Sequence, residues 1–204
     1  RRAIALSPRD AALHTGRGRA LAAAGRIDEA GKAFDDALEL KPGLIEALLG
    51  RGHINRARGL TEPAIADYRR CLSLAPGLGE AWWSLANLKT YRFDDADRRS
   101  IERALQSAPN SRSRSLLLFA LGKCLDEIED YAGAFAVYAA ANAEARRHIP
   151  YDAAADERFA RNVTSVFTPA LVKSFVNAGD QDPSPIFIVG MPRAGSTLIE
   201  QILS

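Results

Sequence analysis

Cysteine is almost missing from this sequence. Cys71 and Cys124 are the only two, isolated and without metal-ligand spacing, which excludes a disulfide scaffold and a zinc cluster. Both fall in segments expected to be helical, where each reads as a buried, reduced thiol. Histidine is equally sparse: His14, His53 and His148 lie far apart, and no metal site is expected. Long apolar runs are lacking, and nothing approaches the ~20 residues a membrane helix needs. RRAIALSPRDAALH has too short an apolar stretch after its arginine pair to be a signal peptide. It reads as the tail of an earlier helix, so the natural protein is expected to begin upstream. An excess of one charge is missing too. Lys+Arg total 27 against 25 Asp+Glu, a net +2, so no strong field draws the chain to nucleic acid or membrane. Lysine stands only at Lys32, Lys41, Lys89, Lys123 and Lys173, and this Arg/Ala-rich style suggests a bacterial source.

What is present is a fold-forming composition, 47% hydrophobic and 25% charged, which excludes disorder and allows one or two compact units. It is also repetitive. Pro8, Pro42 and Pro76 stand 34 residues apart, and Pro109 follows one residue short. Before each of the last three lies a related helix: EAGKAFDDALELKP, EPAIADYRRCLSLAP and DADRRSIERALQSAP. Their aligned positions run small, large, small: Ala30, Phe34, Ala37; Ala64, Tyr68, Cys71; and Asp97, Ile101, Ala104. A fourth copy supplies Ala134, Tyr138 and Ala141 without a closing proline. The helix before each carries a small residue at one fixed place: Gly18, Gly52, Ala86 and Gly122. A small residue on one helix admits a large one from its partner, so each pair closes as an antiparallel hairpin. Proline then ends the second helix and opens the next unit.

This period and pattern, over roughly residues 8–148, resemble the tetratricopeptide repeat family. Trp82 alone keeps the aromatic usual early in the motif, which His14 and Leu48 replace. Arg17 and Arg51 stand where leucine is usual, implying looser packing or snorkelling arginines. The resemblance implies a superhelix whose inner wall comes from the first helix of each pair. That wall would hold Thr15, Arg19, Leu49, His53, Arg56, Trp83, Asn87, Phe119 and Lys123. It is a groove for an extended protein or peptide partner, an acidic one included, or else a solvated or covered face. Trp82 and Trp83 point to different sides, one expected in the core and one partly exposed, either as an interaction anchor or as inter-helix packing.

After Arg147 the pattern stops. Residues 149–182 read as a helical connector. Phe159, Val163, Val166 and Phe167 fall at helical spacing. Thr168-Pro169 opens a short helix whose Leu171, Val172, Phe175 and Val176 are suited to cap the open end of the repeats. GDQDPSP marks a boundary, and a second domain is expected to start near residue 183. IFIVG reads as a buried parallel strand. Gly190-Met-Pro-Arg-Ala-Gly195-Ser-Thr197 follows, with the glycines and Thr197 of a phosphate loop but Ser196 in place of its lysine. Gly190 and Gly195 let the backbone approach an anion closely. Amides from Ala194 to Leu198 point into a helix N-terminus. Ser196 and Thr197 add hydroxyl donors, and Arg193 brings the formal charge. An ordinary strand-to-helix turn with a hydroxyl N-cap would use the same residues.

PIFIVGMPRAGSTLIEQILS is similar to the 5′-phosphosulfate loop of sulfotransferases. The match is to the form in which tetratricopeptide repeats precede the sulfotransferase domain in bacterial proteins. Its P-R-x-G-[ST]-T core is shared with protein-tyrosine sulfotransferases, with Ala194 and Ser196 departing from the usual wording. The resemblance implies sulfuryl transfer from 3′-phosphoadenosine 5′-phosphosulfate to an acceptor hydroxyl or amine, with peptide tyrosine among the candidates, in a cytoplasmic enzyme with no metal. Arg193 would stabilise developing charge. Arg193, Ala194, Gly195, Ser196, Thr197 and Leu198 would hold the donor, and a base beyond Ser204 would take the acceptor's proton. One strand and a short helix do not make a parallel α/β sheet. The sequence is therefore expected to be part of a longer protein, all-α but for the start of a truncated α/β domain, and inactive by itself. A homo-oligomer is possible. Two other readings stand beside this one: a repeat scaffold with a non-catalytic loop, and a P-loop kinase or NTPase, which the missing lysine argues against.

Overall fold

The computed structural model describes residues 6–107, 111–149, 151–175, 184, 188–190 and 195–203. The chain divides into two units, Arg1–Pro150 and Tyr151–Ser204. The first contains α1 (Ala11–Ala23), α2 (Ile27–Leu40), α3 (Ile45–Ala57), α4 (Thr61–Leu74), α5 (Gly79–Ala86), α6 (Asp95–Gln106), α7 (Ser111–Glu127) and α8 (Tyr131–Arg146). The second contains α9 (Ala153–Val166), α10 (Pro169–Ser174) and α11 (Ser196–Leu203). No described helix is long and apolar enough to cross a membrane.

In the first unit α1 packs on α2, α3 on α4 and α7 on α8. The small-to-large fit is literal. A Cβ on Gly18 would lie 2.8 Å from the Phe34 ring, one on Gly52 2.6 Å from Tyr68, and one on Gly122 2.5 Å from Tyr138. Phe34 also fills the seat of Gly50 in the next hairpin, where an added Cβ would come within 2.4 Å. Phe34, Tyr68, Leu85, Ile101, Leu117 and Cys71 are the large, fully buried side chains. Trp82 is buried and Trp83 half-buried, as expected. Both cysteines are free and buried, and desolvation pushes each thiol up to about 12.

Three inter-helix turns share one device. Gly25 (φ 72°), Gly59 (φ 76°) and Glu129 (φ 65°) are left-handed. The following N–H closes back five residues, from Arg26 to the Leu21 carbonyl at 2.9 Å, Leu60 to Asn55 at 2.8 Å and Asp130 to Leu125 at 3.0 Å. The third hairpin differs. Its first helix stops at Ala86, and residues 88–93 detour before Asp94 caps α6 in a capping box with Asp97. That explains the aspartate in a slot that is otherwise small. Asp97 is buried and ion-paired with Arg69, 2.7 Å between Nη2 and Oδ2, and it accepts the Tyr91 hydroxyl at 2.8 Å.

The unusual residues of the first two hairpins find polar partners. The Nε2–H of His14 donates to the Pro8 carbonyl at 2.9 Å, the same service that Trp82 Nε1 performs for Pro76 at 2.8 Å. Arg51 grips the buried Asp67 with two nitrogens, at 2.6 and 3.0 Å, and reaches Asp35 at 3.1 Å. Asn55 adds a third hydrogen bond to Asp67 at 3.1 Å. The arginine therefore clamps two hairpins together.

In the second unit Asp152 caps α9, and Thr168 caps α10 with Pro169 at its first position. Phe159, Val163, Val166, Phe167, Val172 and Phe175 are all exposed. Ile188 and Val189, the described half of the expected strand, are in no ladder. Pro185–Phe187 lie outside the described residues, as do Pro109 and Val176.

Candidate functional site

Two places carry chemistry, the inner wall of the repeats and the glycine turn before α11. On the inner wall the expected residues divide by exposure. Arg19, Arg56 and Asn87 are exposed; His53, Trp83, Phe119 and Lys123 are half-buried; Thr15 and Leu49 are buried. Thr15 turns its hydroxyl back to the Ala11 carbonyl at 2.8 Å, and so lends nothing to a ligand. Arg19 and His53 face one cleft of about 600 Å³, with Gly16, Gly50, Phe34 and Ile54 in its lining. The cleft exists because glycines, not side chains, face the Phe34 ring at this level.

Further along, His53 Nε2 lies 3.1 Å from the buried Ser84 hydroxyl and its ring 5.6 Å from that of Tyr68. Burial holds His53 below the ordinary histidine range. Glu80 works against that shift and Arg56 adds to it, so the ring is neutral at pH 7. Trp83 stacks at a tilt on Phe119, centroids 5.2 Å apart, which makes it inter-helix packing as well as a groove surface. Asn87 donates to the Trp83 carbonyl at 3.0 Å. Lys123 is committed to Glu127, 3.2 Å away. Ser84, Gly50 and Glu127 were not singled out from the sequence. Gly50 stands 32 residues after Gly18 and 16 after Phe34, and only the stacking of neighbouring hairpins shows that all three meet.

A second cleft of about 650 Å³ lies between α4 and α6, lined by Arg69, Trp82, Asp94, Asp97 and Arg103 among others. Its principal cation is already used. Arg69 pairs with Asp97, donates to the Tyr91 hydroxyl, and lies 5.9 Å from the Trp82 ring centroid. That cluster is a structural cross-brace.

At the other end, Gly195 has φ 86° and α11 begins at the next residue, Ser196. Only glycine takes that backbone without strain. The Ile199 N–H closes the first turn on the Gly195 carbonyl at 3.1 Å. The amides before Ile199 therefore have no partner within the helix. Gly195, Ser196 and Thr197 are exposed. This is the geometry an anion needs: exposed first-turn amides, hydroxyls beside them and a dipole of the right sign. Arg193 and Ala194 lie outside the described residues, as does the side chain of Leu198. Among the described residues no group of histidine, cysteine and carboxylate side chains could hold a metal ion.

Comparison with known proteins finds likenesses to both parts. Family models described as tetratricopeptide repeat match residues 1–45 and 45–78, and one described as sulfotransferase family matches residues 185–204. An uncharacterized protein of Aquifex aeolicus (strain VF5) is 30% identical over 188 residues, 92% of this chain and 23% of its own length. The CTR9 homolog of Arabidopsis thaliana is 33% identical over 98 residues, 47% of this chain and 9% of its own length. This chain thus spans less than a quarter of the curated relatives it matches. Among solved structures, YrrB, a TPR protein with an unusual peptide-binding site, aligns at a TM-score of 0.46 and 16% identity, covering 70% of this chain and 81% of that one. The first unit has the fold of tetratricopeptide-repeat hairpins, and the repeat models match its residues 1–78.

Proposed function

We propose that this chain joins a protein- or peptide-binding repeat array to the donor loop of a sulfotransferase. The observation that carries the reading is Gly195: a left-handed residue followed at once by the serine that starts α11, within the segment that matches the sulfotransferase family. The donor, 3′-phosphoadenosine 5′-phosphosulfate, supplies the sulfuryl group. The residues fit it, since exposed amides and hydroxyls at Ser196 and Thr197 suit the 5′-phosphate. Arg193 would bring the planar cation that such a donor needs where negative charge builds as its S–O bond to the phosphate breaks and the acceptor's bond to sulfur forms. A general base would take the acceptor's proton.

The repeats serve recognition. Arg19, His53, Arg56, Trp83, Asn87 and Lys123 lie along helices that stack side by side, and a partner laid across them would meet cationic, aromatic and amide groups in turn. The single cleft shared by Arg19 and His53 supports an extended chain with one inserted side chain.

The test is a melting titration of the intact protein with 3′-phosphoadenosine 5′-phosphate. At ~100 times the dissociation constant the ligand adds ~2.7 kcal/mol. The shift is expected in the native protein and lost in Arg193→Ala and Gly195→Val. No shift in the native protein leaves a repeat scaffold with a loop that does no chemistry.

A further inference from the structure

The second helices of the repeats are charged on their outer faces, with one exception. α2 exposes Asp28, Lys32 and Asp35; α4 exposes Glu62 and Arg70; α6 exposes Arg99 and Arg103. From Tyr131 to Ala143, α8 has no charged residue at all. Only Ala134 and Ala141 of that helix are buried. The opposite face is open: Phe135 is 76% exposed, Tyr131 64%, and Ile128 in the turn before them 59%. Ala132, Ala136, Ala139 and Ala143 complete that face at helical spacing and are exposed as well. Bare aromatic and apolar surface over three turns is what a partnered helix shows, not a solvated one.

We propose that this face pairs with the same face of a second copy of the chain, the two α8 helices running antiparallel about a two-fold axis. Two properties select that occupant. The first is charge. Glu129 and Asp130 stand at the start of α8; at its end Arg146 and Arg147 outnumber Glu144, which Arg147 holds at 2.8 Å. Antiparallel pairing brings each acidic end to the partner's basic end, twice over, with the helix dipoles opposed in the favourable sense. The second is size. In an antiparallel pair Phe135 of one copy lies over Ala139 and Ala143 of the other, the fit by which Phe34 occupies the seats of Gly18 and Gly50 within the repeats. A two-fold interface must be self-complementary, and a helix with its aromatics at one end and its alanines at the other meets that condition. The contact is confined to one helix from each copy, so it belongs with small interfaces and weak affinities. This pairing is independent of the sulfotransferase reading.

Sedimentation equilibrium of the full chain between about 1 and 200 µM tests it, the range suited to a micromolar dimer. The expected mass rises from one chain to two. Ala139→Glu and Phe135→Ala each weaken association at least tenfold, and so does Arg146→Glu, with added salt weakening the native pair. Ala66→Glu, at the place on α4 that corresponds to Ala136 on α8, leaves association unchanged. Circular dichroism melting confirms that every variant is folded, since these side chains are outside the core. A single-chain mass at every concentration overturns the proposal. So does a dimer that both Ala139→Glu and Phe135→Ala leave intact.

Discussion

Alanine substitution at two glycines one repeat apart should act in opposite directions. Gly16 and Gly50 are separated by 34 residues and occupy the same place in α1 and α3. Both are inside helices, where alanine is favoured over glycine by ~1 kcal/mol. Among the described residues, a Cβ on Gly16 meets nothing within 4 Å, so Gly16→Ala should stabilise by about that amount. A Cβ on Gly50 would lie 2.4 Å from Phe34 Cζ and 2.5 Å from Cε1. The ring has no retreat. It is 1% exposed, and on its other side the Cβ position of Gly18 is already 2.8 Å away. Overpacking of this kind costs ~1–3 kcal/mol. Less the helical gain, Gly50→Ala should be destabilising by up to ~2 kcal/mol. For a chain of this size 1 kcal/mol moves Tm by ~2–4 °C. Thermal unfolding followed at 222 nm should therefore show Gly16→Ala above the native chain and Gly50→Ala below it. Phe34→Leu should recover part of the loss in the Gly50→Ala background. If both alanines raise Tm, the ring is not wedged between repeats and the account of their stacking fails.

Three further outcomes are expected. Glu129 holds a left-handed backbone that Gly25 and Gly59 hold in the sister turns, so Glu129→Gly should raise Tm by the equivalent of up to ~1 kcal/mol; a fall in Tm would contradict this. Burial tends to raise the Glu127 pKa, but the Phe93 N–H, Arg92 and Lys123 hold the carboxylate and leave it below its ordinary value. A depressed carboxylate stabilises above its unfolded value of ~4.3 and stops doing so as pH falls through the folded value; the Tm gap between native protein and Glu127→Gln should narrow from pH 7 to pH 3, and an unchanged gap would remove Glu127 from the acid limb. Cys71 and Cys124 are buried with thiols pushed up to about 12, so a chromogenic disulfide reagent at neutral pH should find neither in the folded chain and both after denaturation; prompt labelling of the folded chain would contradict their burial.

The repeat architecture was legible because it depends on spacings: prolines one period apart and small residues opposite large ones. What escaped was set by partners distant in sequence. Arg51 breaks the leucine pattern of the motif, and its reason, Asp67, lies on the other helix of the hairpin. The aspartate in the small slot of the third repeat makes sense only with Arg69 and Tyr91 beside it. His14 looked like the loss of an aromatic, yet its ring nitrogen does the work of the Trp82 indole. The expected groove residues fall on the first helices, with Asn87 just past the end of one, but the sequence could not say that Thr15 would bond its own backbone or that Lys123 would be held by Glu127. At the loop, the need for a glycine at 195 was readable from the motif and is met by its backbone, whereas Arg193 stands outside the described residues.

The ring-to-proline hydrogen bonds are not spread evenly over the array. Pro8 and Pro76 are pinned by nitrogens six residues on, from His14 and Trp82, while Leu48 in the corresponding place offers Pro42 no nitrogen. That seam is held instead by ion pairs between hairpins, Arg51 to Asp35 at 3.1 Å and Arg58 to Asp28 at 2.6 Å. Added salt screens such pairs and leaves a ring-to-carbonyl hydrogen bond alone, so the seam between α2 and α3 is the one that ionic strength loosens first.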